Sequence, residues 1–325
     1  MKECNVVFIT DENYAMPTSV AMVSLIMNFN SEHRLNVYVI CDNVSKETKQ
    51  LLIKCKDAGS TYTSITFIDT YNSWEGHSSE LDAKRISNAA MIKFRIPLIL
   101  EKLDRVLFLD SDLIVTGDIS SVFDYNIDNV YLAGVEDMNP LRVGFGKESH
   151  AQRLGLPVDR YFNSGVMYLN TEKMRKDDIT HKLFEDKKKN PKHGFMDQDS
   201  FNCVLYEKRL ELPWKFNFLT DFTDSLDIDG LNRYFGSDYS CIDEFVEEAV
   251  VLHFAGDKKP WTLDIPFITP RFMKYYKKSP YGDKKLSLHS EILELRKKYA
   301  DLYKKTDFLR KPKRLACKVI GKIKR

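Results

Sequence analysis

Asp104-Arg105-Val106-Leu107-Phe108-Leu109-Asp110-Ser111-Asp112-Leu113-Ile114-Val115-Thr116-Gly117-Asp118 is the stretch on which the fold turns. Val106 to Leu109 is a short apolar run, suited to a strand buried on both faces. It stops at Asp110-Ser111-Asp112. Residues i and i+2 of an extended chain point the same way. The two carboxylates therefore converge at the C-terminal edge of the strand, where open α/β sheets bind ligands. Two anions so close repel unless a cation lies between them. A hard divalent metal ion meets that need. The Asp-x-Asp pattern recurs at Asp197-Gln198-Asp199 and Asp227-Ile228-Asp229, in a chain with 47 acidic residues. Only the first copy follows a buried-strand pattern. The third lies beside Gly230 and Asn232 and reads as loop.

Upstream of this stretch, Asn5 to Thr10, Val37 to Ile40 and Ile65 to Ile68 read as strands. Helical periodicity runs through Val20, Val23, Ile26 and Met27, and again from Ser45 and Thr48 to a break at Gly59. A helix over Asn88 to Leu100 carries Lys93 and Arg95 into the acidic strand. Downstream, Val130 to Val135, Tyr161 to Asn170 and Ala249 to Phe254 read as strands. Thr171 to Lys188 reads as one helix capped by Thr171, and another begins at Phe195. Segments 71–87 and 138–160 read as loops, and 220–248 gives no legible order. The β-α-β-α-β sequence predicts an α/β fold: a Rossmann-like, mostly parallel central sheet with helices on both faces.

Gly-x-Gly-x-x-Gly is missing after the first strand, and the P-loop pattern is missing throughout. A nucleotide would thus be held by side chains and a metal. His253 ends the last strand and is available as a metal ligand. Gly256 permits close backbone approach, and Lys259 adds positive charge. Together these three describe a grip for a diphosphate.

The chain of 325 residues, 43% hydrophobic and 12% aromatic, can bury a substantial core, which argues against intrinsic disorder. It contains no apolar run near the ~18 residues of a membrane span. Val6-Val7-Phe8-Ile9 is too short for a signal sequence, which points to the cytoplasm. The six cysteines are scattered without Cys-x-x-Cys spacing, as packed free thiols would be. The net charge of +2 hides an asymmetry. Residues 271–325 carry 19 Lys and Arg against 5 Asp and Glu, a net of +14. The remainder carries 30 against 42, a net of −12. Residues 1–270 read as the catalytic domain and 271–325 as a separate basic region.

Five ordered pieces carry a family resemblance: Phe8-Ile9-Thr10-Asp11-Glu12-Asn13-Tyr14, Leu107 to Asp112, Tyr161-Phe162-Asn163-Ser164-Gly165-Val166, Asp197-Gln198-Asp199, and His253 to Trp261. The chain resembles the retaining glycosyltransferases of family 8, which have a GT-A fold and include bacterial lipooligosaccharide galactosyltransferases and glycogenin. The resemblance implies that Asp110, Asp112 and His253 bind Mn²⁺ or Mg²⁺ against the diphosphate of a UDP-sugar. It implies that Asp11 and Asn13 contact the uridine, with Ser111, Gly256 and Lys259 completing the donor site. Lys93, Asn163 and Asp197 would face the donor sugar, and Gln198 its reactive face. The activity implied is transfer of galactose or glucose to a glycan or lipid-linked glycan. A poor nucleophile at Gln198 favours front-face attack by the acceptor, with Asp197 or Asp199 as the covalent alternative. Two other readings are a non-catalytic UDP-sugar-binding protein and a nucleotidyltransferase. The second lacks its glycine-rich phosphate loop, and the intact Asp110, Asp112, His253 and Lys259 weigh against the first.

Leu288, Ile292, Leu295, Tyr299 and Leu302 mark one helix face in the basic region. After Pro312, Leu315, Val319, Ile320 and Ile323 alternate with lysines and arginines. This reads as an amphipathic element lying on an anionic membrane, at the inner face. Each Lys or Arg there contributes about 1 kcal/mol. Nucleic-acid binding is disfavoured because no aromatic stacking residue lies at 309–325. Deleting residues 310–325 is expected to move the protein from the membrane to the soluble fraction; unchanged partitioning in a fractionation assay would sink the anchor.

Overall fold

A computed structural model describes residues 2–30, 32–59, 62–70, 88–137, 150–157, 161–191, 193–220, 228–265 and 267–286. The basic region beyond 286, loop 71–87 and most of segment 138–160 lie outside them. The strands are β1 (Glu3–Asp11), β2 (Arg34–Asp42), β3 (Thr63–Asp69), β4 (Arg105–Leu109), β5 (Leu113–Val115), β6 (Leu132–Glu136), β7 (Phe162–Asn170), β8 (Arg209–Glu211), β9 (Phe218–Leu219) and β10 (Val251–His253). The helices are α1 (Ala15–Asn28), α2 (Lys46–Leu52), α3 (Asn88–Phe94), α4 (Ile96–Ile99), α5 (His150–Arg153), α6 (Thr171–Lys176), α7 (Ile179–Lys189), α8 (Met196–Leu205), α9 (Ile228–Phe235), α10 (Ile242–Glu248) and α11 (Ile268–Tyr276).

The main sheet has the order β3-β2-β1-β4-β7-β6-β8. Only β7 runs against its neighbours, β4 and β6; the other pairings are parallel. Side chains alternate between two apolar layers. Val6, Phe8, Leu107 and Leu109 enter one layer with α1 and α11. Val7, Ile9, Val106 and Phe108 enter the other with α3, α7 and α8. Both faces are covered, so these strands read as unbroken apolar runs.

A second sheet, β5-β10-β9, stands beside the first. The chain passes from one sheet to the other within Asp110-Ser111-Asp112. The Asp110 N–H donates to Gly165 O at 2.8 Å, still on the β7 side. The Phe254 N–H donates to Asp112 O at 2.8 Å, already on the β10 side. Ser111 Oγ donates to Ile9 O at 2.8 Å, clasping the crossing to the end of β1. The carboxylates converge because the backbone changes sheets there, not because a strand continues through them. At the outer edge of β5, the Val115 N–H donates to Ser24 Oγ at 2.8 Å and Asn28 Nδ2 donates to Val115 O at 2.9 Å, so α1 satisfies that edge.

Several elements differ from the sequence reading. The helix expected over Thr171 to Lys188 is two helices, broken where Asp178 takes a left-handed φ of 51°. Its cap is Asn170, whose side chain accepts from the Lys173 N–H at 3.0 Å. Thr171 Oγ1 instead donates to Leu103 O. The helix expected over Asn88 to Leu100 breaks at Arg95, and Pro97 sits in the first turn of α4. Within 220–248, α9 and α10 form and bury Leu231, Phe245 and Val246. Cys4, Cys41 and Cys55 are buried free thiols, as expected. Burial pushes Cys4 up to about 11 and Cys41 and Cys55 to about 12. Among the described residues no helix is long and apolar enough to cross a membrane.

A Cβ at Gly59 would sit 2.5 Å from Ile26 O and 2.6 Å from Ile26 Cγ2. Gly59→Ala is therefore expected to lower stability by about 1–3 kcal/mol through overpacking against α1. A urea midpoint equal to that of the parent would contradict this packing.

Candidate active site

Ligand atoms of Asp110, Asp112 and His253 all lie within 4.8 Å of one another. His253 Nε2 is 3.7 Å from Asp110 Oδ2 and 3.3 Å from Asp112 Oδ1. Two lysines flank the cluster. Lys259 Nζ is 2.5 Å from Asp112 Oδ2 and donates to Phe254 O at 2.6 Å. Lys93 Nζ is 3.2 Å from Asp110 Oδ1 and 2.8 Å from Asp197 Oδ2, with the Phe108 ring centroid 4.8 Å away. Burial alone would weaken the Lys93 ammonium, but Asp110 and Asp197 outweigh it and hold the pKa above the usual lysine range. Burial likewise opposes ionisation of Asp112, yet His253 and Lys259 win and hold it below the usual carboxylate range. Asp110 goes the other way: burial raises it, Lys93 pulls it down, and repulsion from Asp112 helps keep it raised.

A chain of amides fixes the histidine. The Gly165 N–H donates to Asn163 Oδ1 at 2.9 Å, so the Asn163 NH₂ points the other way, to Gln198 Oε1 at 3.0 Å. The Ser164 N–H also donates to Gln198 Oε1, at 3.1 Å. Asn217 Nδ2 donates to Asn163 Oδ1 at 2.8 Å. Asn217 Oδ1 is thereby turned to His253 Nδ1, 2.9 Å away. Asn217 Oδ1 can only accept, so Nδ1 carries a proton and Nε2 is the ring nitrogen presented to Asp110 and Asp112. An imidazole nitrogen and two carboxylates converging on one point are a ligand set for a divalent cation. The residues present therefore fit a metal. Gly165 makes room for them: a Cβ there would lie 2.2 Å from His253 Cε1 and 2.8 Å from Asp110 Oδ2.

The cluster divides one cleft into two lobes. Asp11 and Tyr14 border a lobe of about 280 Å³ together with Lys93, Asp110, Ser111 and Asp112. Asn163, Asp197, Gln198, His253 and Gly256 border a lobe of about 440 Å³, shared with Lys93, Asp110 and Asp112. Most residues anticipated from sequence thus meet in one place. Asn13 lies exposed in the turn after β1 and borders neither lobe. Lys259 reaches the cleft through its contact with Asp112. The Ser111 hydroxyl is engaged by Ile9 O, so its side chain clasps the backbone. Asp199 is fully buried, accepting from Tyr161 OH at 2.5 Å and the Phe195 N–H at 3.0 Å, with His150 Nε2 2.7 Å away. It borders neither lobe and is not placed to attack a donor.

Sequence reasoning missed Asp137, which follows β6 as Asp110 follows β4 and borders the larger lobe. An acid just after an apolar strand was the available signal. It also missed Asn217, whose place in the amide chain has no local signature.

The profile of the family described as glycosyl transferase family 8 matches residues 5–264. The chain belongs to that family. This family 8 chain is 28% identical over 267 residues to general stress protein A of Bacillus subtilis, covering 79% of this chain and 87% of that protein. It is 27% identical over 310 residues to lipopolysaccharide 1,2-glucosyltransferase of Escherichia coli K12, covering 92% and 86%. A crystal structure of galactosyltransferase LgtC with donor and acceptor sugar analogs superposes with a TM-score of 0.68 at 22% identity, covering 85% of this chain and 96% of that one. The α/β architecture is therefore the GT-A arrangement of that family.

Asn217→Ala frees the His253 ring, and Gly165→Ala crowds it. Each is expected to weaken Mn²⁺ binding by roughly 10–100-fold. Calorimetric titration of Mn²⁺ in the presence of UDP reads this, and wild-type affinity in both variants would show that the amide chain does not serve a metal.

Proposed function

We propose that this family 8 glycosyltransferase transfers a hexose, galactose or glucose, from a UDP-sugar to a glycan or lipid-linked glycan, with retention at the anomeric carbon. The observation that carries this reading is the convergence of His253 Nε2, Asp110 and Asp112 on one point, between two lysines. Mn²⁺ or Mg²⁺ held by those three residues supplies, when bound, positive charge against the diphosphate of the donor.

The remaining roles belong to side chains of the cleft. Asp11 and Tyr14 border the smaller lobe, where the uridine fits, with Asn13 in the same turn. Gly256, at φ 80°, leaves the backbone open beside the diphosphate. Lys259 exchanges Asp112 for a phosphate oxygen as negative charge grows there. Lys93, Asn163 and Asp197 face the sugar hydroxyls. The bond from the anomeric carbon to the β-phosphate oxygen breaks, and its electron pair leaves with UDP. The acceptor hydroxyl oxygen forms the new bond on the same face, and its proton passes to the departing phosphate. The packing supports this route over a covalent one. The Gln198 carbonyl oxygen already accepts two hydrogen bonds, and Asp197 Oδ2 is engaged by Lys93 and by Ser164 Oγ at 3.0 Å. The basic region beyond the fold would keep the enzyme on an anionic membrane, near a lipid-linked acceptor.

UDP release is the direct test, run across a panel of UDP-sugars with Mn²⁺ or with EDTA. Slow hydrolysis of one hexose donor, abolished by EDTA and lowered roughly 100-fold in Asp112→Asn, is expected. Failure of the wild-type protein to bind UDP in calorimetry would overturn the proposal.

A further inference from the structure

Glu136 ends β6 and Asp137 follows it directly, yet the two side chains border different spaces. Asp137 borders the cleft. Glu136 borders a separate groove of about 430 Å³. β7 runs against both β4 and β6, and β8 runs with β6, so β4, β6 and β8 all end at one edge of the sheet. Strands lie about 4.8 Å apart, which puts the ends of β6 and β8 roughly 10–15 Å along that edge from the end of β4. The groove therefore continues the edge on which the cleft is built.

Its walls are aromatic and acidic. Trp214, just after β8, and Tyr234 and Phe235, on α9, are half-buried and present their rings. The Trp214 and Phe235 centroids are 5.1 Å apart, and those of Tyr234 and Phe235 are 5.0 Å apart. Phe218 and Phe245 back the Trp214 ring at 5.7 and 5.5 Å. This stiffens the platform. Tyr234 OH donates to Glu136 Oε1 at 2.8 Å, and Glu211 is exposed at the other side. No lysine or arginine borders the groove among the described residues. Flat rings take the C–H faces of a sugar, and carboxylates accept from its hydroxyls. A phosphate or sulfate group would meet two carboxylates and no cation, so an anionic ligand is excluded.

We propose that this groove is a second carbohydrate subsite, holding an outer, uncharged sugar unit of the glycan acceptor while the end to be extended lies beside Asp137. The inference rests on the glycosyltransferase reading of the cleft and adds to it the acceptor class: an uncharged oligosaccharide long enough to span both.

Saturation-transfer NMR tests it on the full chain, without UDP or metal, using lactose, cellotriose and maltotriose as probes. At least one probe should receive saturation. Glu211→Gln should weaken that signal's affinity roughly three- to tenfold, the effect of turning a charge-assisted hydrogen bond into a neutral one. Trp214→Leu should weaken it by about tenfold or more. Glu211→Gln changes an exposed side chain isosterically, so it keeps the test open if Trp214→Leu does not fold. Saturation of no probe, or affinities unchanged by Glu211→Gln, would overturn the subsite. UDP binding measured on the same preparation separates the two proposals. UDP bound with no sugar bound refutes the groove alone, whereas sugar bound with no UDP bound refutes the donor reading and leaves the groove a sugar site.

Discussion

The change of sheet at Asp110-Ser111-Asp112 is the constraint on which the rest of the site depends. One backbone N–H of the triplet's first residue pairs with β7, and the carbonyl of its last pairs beside β10. Two carboxylates are thereby forced together in a largely dry place. Burying like charges costs several kcal/mol unless they are compensated. The compensation is visible on every side: Lys93 on Asp110, Lys259 on Asp112, and an imidazole between them. The fold holds this arrangement because each partner arrives on a different packed element. Lys93 comes from α3, His253 from β10, and Lys259 from the loop that follows.

The amide chain shows how a static scaffold orients an imidazole. Two backbone N–H groups of β7, at Ser164 and Gly165, choose the orientations of Gln198 and Asn163. Asn163 then orients Asn217, and Asn217 fixes the His253 ring through Nδ1. Such networks specify a unique geometry when every member is satisfied and are costly when one is removed. The same chain runs outward from Gln198 Nε2 to Asp137 Oδ2 at 2.8 Å. Asp137, bordering the larger lobe, and the ring nearest the carboxylates are thus held by one continuous set of hydrogen bonds. Asp199, two residues from Asp197, has a different fate. It anchors the start of α8 through Tyr161 and the Phe195 N–H.

Segment 228–248, opaque in sequence, acquires a purpose in the folded chain. α9 and α10 pack Phe235 and Phe245 against Trp214 and Phe218, closing the outer end of the sheet edge.

The sequence by itself determined the parts whose signal is local. Val6 to Ile9 and Val106 to Leu109 are apolar runs long enough to be buried strands, and Asp11 and Asp110 at their ends mark a ligand edge. The five ordered motifs identified the family for the same reason: each is a short string of specific residues. Tertiary structure decided what depends on distant partners. β5, β8 and β9, of three, three and two residues, exist only because another strand supplies the pairing. The division of the Thr171 helix follows from one left-handed residue at Asp178. Asn217 and Asp137 became site residues only when loops and strands separated by up to 61 positions met, since hydrogen bonds reward proximity in space and leave no periodicity in the chain.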